Sequence, residues 1–118
     1  MSQNQEEKRV RLDLNNEVFQ ENLLNLEKTE AGRVLTTLKK LRQMTWNQVY
    51  RAQGLKWEKN NSVEPPAGID AVYSIRITQA RRATAYREGD FMRFLTVEPD
   101  HDATYGKKMM HRAMKLSG

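Results

Sequence analysis

The stretch YSIRITQARRATAY, residues 73–86, combines the pattern of a half-buried strand with a high density of arginine. Ile75 and Ile77 point to one side of such a strand, and Arg76 points to the other. More arginines follow along the chain: Arg81, Arg82, Arg87 and Arg93. A strand needs few charges to be soluble, and the guanidinium group is the side chain best suited to binding phosphate. The stretch therefore predicts a sheet that carries arginines on one side.

The residues that follow predict a β-hairpin around a Gly-Asp turn. Its two strands are expected at residues 82–87 and 91–97. Two registers remain open at this point. A two-residue loop pairs Tyr86 with Arg93, whereas a three-residue loop pairs Tyr86 with Met92, and the choice changes every cross-strand partner.

The segment RVRLDL, residues 9–14, predicts a strand ahead of the helices. Val10, Leu12 and Leu14 alternate with polar residues, which is the pattern of a strand with one buried face. Residues 1–8 are polar and charged and predict a flexible tail. We expect the rest of the chain, 9–118, to form a single domain.

Three helices are predicted between this strand and the hairpin. Asn15 or Asn16 caps the first helix, Thr29 caps the second, and TWNQ at residues 45–48 matches the capping box of the third, which ends at Gly54. The apolar stripe of the first helix comprises Val18, Phe19, Leu23 and Leu26. The stripe of the second comprises Val34, Leu35, Leu38 and Leu41.

Two polar stretches, residues 58–70 and 98–106, predict the main loops. Residues 72–78 predict the strand before the hairpin, and apolar residues at helical spacing in 107–118 predict a short closing helix. The element order is therefore β-α-α-(α)-β-β-β-α. It indicates an α+β fold, a small and mostly antiparallel sheet with the N-terminal helices packed on one face and a short C-terminal helix.

The charge balance favours an anionic partner. The chain has 118 residues, with 20 Lys and Arg against 15 Asp and Glu and a formal net charge of +5. Its pI of about 9.6 points most simply to nucleic acid, although an ordinary basic protein has the same balance. At this length we expect one core and not two.

Several classes of site are excluded by composition. The absence of cysteine excludes disulfides, thiolate zinc sites and cysteine nucleophiles. Two histidines, His101 and His111, are too few for a histidine-rich metal site, and we expect no metal or other cofactor. No stretch approaches the roughly 20 apolar residues of a membrane span, and the N-terminus lacks the apolar core of a signal peptide. We expect a cytoplasmic protein without a membrane partner.

The loops beside the predicted arginine surface carry groups suited to acid–base chemistry. These groups are Glu58, Glu64, His101 and Tyr105. With the arginines they make up the parts needed to cleave RNA without a metal: a base for the ribose 2′-hydroxyl, cations for the charge on phosphate and an acid for the leaving oxygen. The alternative is structural, with solvated arginines, a histidine paired to its neighbouring aspartates and a packed tyrosine.

These residues resemble the RelE/ParE superfamily of toxins from type II toxin–antitoxin systems. The resemblance covers residues from about 10 to 115 and rests on an arginine-rich hairpin made of YSIRIT, then RRATAY, an acidic-Gly turn and FMRFLTV. In the ribonuclease branch, an arginine on the strand before the hairpin corresponds to Arg76, and one that begins the next strand corresponds to Arg82. A His or Tyr pair corresponds to His101 and Tyr105.

An acidic residue before these strands completes the resemblance. Glu64 in VEPP matches it, and Glu58 in LKWEKN is the rival candidate. The resemblance implies an mRNA interferase that works in the ribosome, attacks with the 2′-hydroxyl without a metal, and is blocked by a cognate antitoxin. We expect further RNA contacts from Arg81, Arg87, Arg93, Lys107 and Lys108.

Two other functions remain open. The same fold could act as a non-catalytic inhibitor of DNA gyrase, as in the ParE branch, and it would then need no acid–base pair. A basic module that only binds RNA or the ribosome is the third reading, and its affinity would fall steeply with salt. In either toxin reading, an acidic or amphipathic antitoxin segment is expected to mask the basic surface.

Overall fold

The structure, a computed structural model, describes residues 8–99. Its elements are β1 Arg11–Asp13, α1 Glu17–Leu24, α2 Lys28–Leu41, α3 Trp46–Arg51, β2 Glu58–Lys59, β3 Tyr73–Thr78, β4 Arg81–Glu88 and β5 Phe91–Pro99. This order confirms the predicted α+β class. The predicted tail lies outside the described residues except for Lys8, and the predicted closing helix lies wholly outside them. None of the described helices is long and apolar enough to cross a membrane.

The five strands form one sheet in the order β1-β5-β4-β3-β2. Strand β1 runs parallel to β5, and every other pair is antiparallel. Because β1 ends opposite Arg93, no strand from residues 8–99 lies beside the next part of the β5 edge. There the Asn22 side chain of α1 accepts the Val97 N–H at 3.0 Å, which satisfies a donor that the short strand leaves open.

The hairpin has the two-residue register. Tyr86 pairs with Arg93 and Glu88 with Phe91, which leaves Gly89 and Asp90 as the loop. Gly89 has a φ of 63°, the left-handed value that the first loop residue of a type II′ turn requires. Of the two registers that the sequence left open, the one with the shorter loop is therefore correct.

One extra residue interrupts the hairpin. Thr84 pairs with Thr96 while Ala85 pairs with Phe94, so Leu95 is a β-bulge. The bulge reverses the alternation of side chains along β5. As a result Phe94 and Val97, three residues apart, both lie on the buried side, while Thr96 and Glu98 lie on the opposite side.

Helices α1 and α2 cover one face of the sheet, called here the helix face. The Phe19 ring of α1 packs on Phe94 with ring centroids 5.2 Å apart, and the Thr37 hydroxyl of α2 donates to the Ile77 carbonyl at 2.6 Å. The buried core includes Val34, Leu38, Leu41, Ile75, Ile77, Ala83, Ala85 and Met92. The predicted inward direction of Ile75 and Ile77 is confirmed.

The helix starts agree with the sequence at two of three positions. Asn16 accepts from the N–H groups of Val18 and Phe19, and Thr45 and Gln48 form the complete capping box. The prediction of Thr29 as a cap is wrong. Glu27 takes the extended backbone of the cap, and its carbonyl accepts the Ala31 N–H at 2.8 Å, which places Thr29 inside the first turn of α2.

Other predicted boundaries also shift because of tertiary pairing. Glu58–Lys59, expected in a loop, forms the edge strand β2 because it pairs with β3. Strand β5 continues to Pro99, past the expected end at residue 97, because Glu98 pairs with Arg82. Helix α3 ends at Arg51, before the expected stop at residue 54. A two-residue polar strand has no periodicity that a sequence can show.

The Phe19–Phe94 contact gives a prediction about stability. Phe94→Ala removes a ring that is 1% exposed, so we expect the free energy of unfolding to fall by about 3–5 kcal/mol. Leu24→Ala is the control because Leu24 is 78% exposed on α1, and it should change stability by less than about 0.5 kcal/mol. Urea denaturation measures both. Equal losses in the two variants would contradict the packing described here.

Candidate functional site

Two arginines lie side by side on the sheet face opposite the helices. Arg76 on β3 pairs directly with Arg82 on β4, and directly opposed residues place their side chains on the same face. Because Ile75, Ile77 and Ala83 are buried on the helix face, both arginines lie on the other one. We call this side the arginine face. In the described residues it includes Ser74, Arg76, Arg82, Thr84, Thr96 and Glu98, with Tyr86 and Arg93 further along β4 and β5.

Among the described residues, Arg82 meets no acidic side chain. Its guanidinium donates to the Lys56 carbonyl at 3.3 Å, and within residues 8–99 it forms no ion pair. The adjacent backbone is held in place as well, because the Arg76 N–H donates to the Leu55 carbonyl at 2.6 Å. Two cations that lie on neighbouring strands repel each other, and an anion bound between them relieves that repulsion.

Glu98 places a carboxylate in the same row, and sequence reasoning missed it. It pairs with Arg82 from β5, so its side chain is also on the arginine face. The Thr96 hydroxyl donates to Glu98 at 3.0 Å and contacts the Thr84 hydroxyl at 2.7 Å. Only the bulge at Leu95 brings Glu98 to this face. Strict alternation from Phe94 would have placed it among the core residues.

The two acidic residues expected from the sequence have different positions. Glu58 on β2 pairs with Ser74, so it lies on the arginine face, one diagonal step from Arg76. Diagonal neighbours in a sheet are about 7–8 Å apart, within reach of long side chains. Glu64 is exposed in the loop between β2 and β3 and forms no hydrogen bond or ion pair with the described residues. The geometry therefore favours Glu58 over Glu64.

Arg93, predicted to contact RNA, is occupied by other groups. It donates to Asp13 at 2.6 Å and to Glu88 at 2.8 Å, and its guanidinium lies 4.6 Å from the centre of the Phe91 ring. The two carboxylates raise the pKa of Arg93. This network joins β1, β4 and β5, so its evident role is to hold the edge strand in place.

Arg81 and Arg87 are engaged outside the Arg76–Arg82 row. Arg81 forms an ion pair with Glu30 of α2 at 3.0 Å. Arg87 donates to the Tyr50 hydroxyl at 2.7 Å, and its guanidinium lies 4.5 Å from the centre of the Trp46 ring. Both arginines therefore contact helices, although the sequence grouped them with Arg76 and Arg82.

The other predicted site residues lie outside the described part of the chain. They are His101, Tyr105, Lys107 and Lys108. Their roles stay predictions, as does the general acid that the resemblance assigns to the pair at 101 and 105. Within residues 8–99, no three His, Asp or Glu side chains are grouped in a way that could hold a metal ion.

Comparisons with protein-family models, curated proteins and solved structures found no match to this chain.

The Arg93 network predicts a pH-dependent stability. The Asn15 N–H and the Arg93 guanidinium, both donating to the Asp13 carboxylate, lower its pKa from 3.8. A carboxylate whose pKa is lower in the folded state stabilises that state above the unfolded value, and the contribution is lost as the pH falls through the folded value. Asp13→Asn should therefore reduce the free energy of unfolding at pH 7, and its difference from wild type should shrink below pH 3.8.

The matched control is Asp70→Asn. Asp70 is exposed and forms no ion pair within the described residues, so its replacement should change stability little at either pH. Urea titrations at pH 7 and at about pH 3 compare the two variants. A pH-independent loss in Asp13→Asn would exclude the carboxylate as its cause.

Proposed function

We propose that this protein is the toxin of a type II toxin–antitoxin system, a RelE-like mRNA endoribonuclease that acts on the ribosome and inhibits translation. The observation that carries the proposal is the row Arg76, Arg82 and Glu98 on three adjacent strands of the arginine face. Support also comes from the order of helices and strands in the described residues, which apart from the short strand β2 agrees with the expected order up to the hairpin.

The row has the chemical groups for attack by the ribose 2′-hydroxyl. A carboxylate takes the proton of that hydroxyl. The 2′ oxygen then bonds to phosphorus, and the bond from phosphorus to the 5′ oxygen breaks. Arg76 and Arg82 stabilise the charge that develops on the two remaining phosphate oxygens. An acid, His101 in this proposal with Tyr105 beside it, protonates the leaving 5′ oxygen. The products end in a 2′,3′-cyclic phosphate and a 5′-hydroxyl.

We assign the general base to Glu98, with Glu58 as the second candidate. Glu98 is the direct cross-strand neighbour of Arg82, and directly opposed residues have Cβ atoms about 4.5–5.5 Å apart. The hydroxyl chain from Thr84 through Thr96 orients its carboxylate. A base so close to an arginine can take the proton of the 2′-hydroxyl that lies beside the phosphate bound by the guanidinium.

The proposal includes a protein partner. A phosphate-binding surface that cuts mRNA must be covered while the cell grows, so a cognate antitoxin with acidic side chains is expected to bind across the arginine face. Opposite charges favour both rapid association and the correct orientation of such a partner.

The first test is cleavage of a defined mRNA with and without programmed ribosomes. Wild-type protein should cut only in the presence of ribosomes and leave 2′,3′-cyclic phosphate ends. Arg82→Ala should lower the cleavage rate by about 10²–10³-fold, because one charge-stabilising group is lost. Arg33→Ala is the control, since Arg33 is an exposed arginine on α2, away from the arginine face. Equal rates in Arg82→Ala and wild type would refute the site.

The assignment of the base has its own prediction. Glu98→Gln keeps the size of the side chain but removes its basicity, so cleavage should fall by about 10²–10⁴-fold. Glu64→Gln should cut within about twofold of wild type, because Glu64 lies in an exposed loop. A loss of cleavage in Glu58→Gln alone would assign the general base to Glu58 on β2. A loss in Glu64→Gln alone would restore the base expected from the sequence.

An absence of cuts with ribosomes would exclude the nuclease. A supercoiling assay with DNA gyrase then tests the ParE-like inhibitor, and RNA binding at increasing salt tests the simple basic module. Within the described residues, no observation favours either of these functions over cleavage.

A further inference from the structure

A cavity of about 580 Å³ lies away from the Arg76–Arg82 row. It is bounded by α3, by the loop at residues 68–71 and by the adjoining ends of β3 and β4. Its lining includes the side chains of Tyr50, Trp57, Tyr73, Asp70, Arg87 and Glu88. Tyr73 is three residues from Arg76 along β3, about 10 Å at the rise of a strand. Tyr73 also pairs with the buried Ala85 and so lies on the helix face, whereas Arg76 lies on the arginine face.

The aromatic rings at the cavity form a connected group. The Trp57 and Tyr73 rings are stacked with centroids 4.8 Å apart and planes at 6°. Trp57 also makes a T-shaped contact with Trp46, with ring centroids 5.4 Å apart. The Trp46 and Tyr50 centroids are 5.7 Å apart. Tyr50 is nevertheless 50% exposed. Packed neighbours, with the Arg87 guanidinium 5.9 Å from its centre, thus fix the position of a ring that is half exposed and lines the cavity.

The polar groups at the cavity supply both donors and an acceptor. The Arg87 Nε donates to the Gly89 carbonyl and its Nη1 donates to the Tyr50 hydroxyl, each at 2.7 Å. A guanidinium has five N–H groups, so others remain for a ligand. Asp70 is exposed and forms no hydrogen bond or ion pair within the described residues, so its carboxylate is an available acceptor.

The lining of the cavity carries charges of both signs. Arg87 is positive and Asp70 and Glu88 are negative, and Glu88 shares the Arg93 guanidinium with Asp13, at 2.8 Å and 2.6 Å. A phosphate would meet the uncompensated carboxylate of Asp70, and a cation would meet the guanidinium of Arg87. The favoured ligand is a neutral planar ring with hydrogen-bonding edges.

We propose that this cavity binds a guanine base. The base stacks on the aromatic group, its O6 and N7 accept from Arg87, and its N1–H and N2–H groups donate to Asp70. Adenine has no acceptor at position 6 and no donors at positions 1 and 2, so it cannot satisfy both side chains. That the base belongs to the RNA substrate rests on the proposed function, whereas binding of a free guanine nucleotide does not.

The two tryptophans allow a direct test by NMR. The Trp46 indole N–H donates to the Asp90 carbonyl at 2.9 Å, so its signal should move less than that of Trp57 when the cavity is filled. We expect 5′-GMP to shift the Trp57 signal saturably, with a dissociation constant at least about tenfold below those of 5′-AMP and 5′-CMP. These three probes carry the same phosphate, so a difference among them reports the base.

Variants separate the edge contacts from the stacking. Asp70 is exposed, so the Asp70→Asn variant should fold normally. Its affinity for 5′-GMP should fall to within about twofold of its affinity for 5′-CMP. Tyr50→Ala should weaken the binding of all three nucleotides. Glu21→Gln, an exposed carboxylate on α1, is the control and should leave the affinities unchanged.

The source of the base is tested with RNA pentamers of uridine that contain one central G or one central A. A preference for the G pentamer supports an RNA subsite, and binding of 5′-GMP without that preference supports a free-nucleotide site. No saturable shift up to about 10 mM 5′-GMP, or equal affinities for the three nucleotides, would overturn the proposal. A shift with N-acetyl-arginine amide instead of 5′-GMP would also overturn it, because it would assign the cavity to a cationic side chain of a partner.

The outcome is independent of cleavage. Arg82→Ala should lose cleavage and keep the affinity for 5′-GMP, because Arg82 lies on the arginine face and does not line the cavity. Cleavage without nucleotide binding would overturn only the guanine site, and nucleotide binding without cleavage would overturn only the proposed nuclease.

Discussion

The β-bulge at Leu95 is the constraint on which the arrangement of both sheet faces depends. Before it, Phe94 enters the core beside Phe19, and after it Val97 enters the core as well. A regular strand could not place two residues that are three positions apart on the same buried face. The same extra residue turns Glu98 to the arginine face, opposite Arg82. One irregularity therefore completes the hydrophobic core and supplies a carboxylate to the candidate site.

The arginines of the hairpin divide into two groups by the partners that they meet. Arg81, Arg87 and Arg93 each contact an acid, an aromatic ring or both, and they join the sheet to α2, α3 and β1. Arg82 donates to a backbone carbonyl and keeps its charge uncompensated within the described residues. Because a guanidinium can stack, form ion pairs and donate several hydrogen bonds, one residue type serves both structure and ligand binding here.

The two proposed sites differ in their physical character. Around Arg76 and Arg82, the arginine face presents cations and the Glu98 carboxylate, which suit the phosphate and the 2′-hydroxyl. The cavity near α3 has aromatic rings with charges of both signs, which suits a base. In a single-stranded RNA, phosphates and bases project in different directions, so surfaces of these two kinds on one small sheet can be used by one substrate.

The local structure follows from the sequence alone: the α+β class, the capped start of α1, the capping box of α3, the Gly-Asp turn and the burial of Ile75 and Ile77. These features follow from periodicity and from hydrogen bonds between near neighbours. The shared face of Arg76 and Arg82 depends on the register between β3 and β4, which periodicity does not give. Tertiary pairing also set the bulge, the strand β2, the position of Glu98 and the partners of the other arginines. Each of these depends on pairing between distant segments, where the energy of a contact belongs to two residues that the sequence does not show to be adjacent.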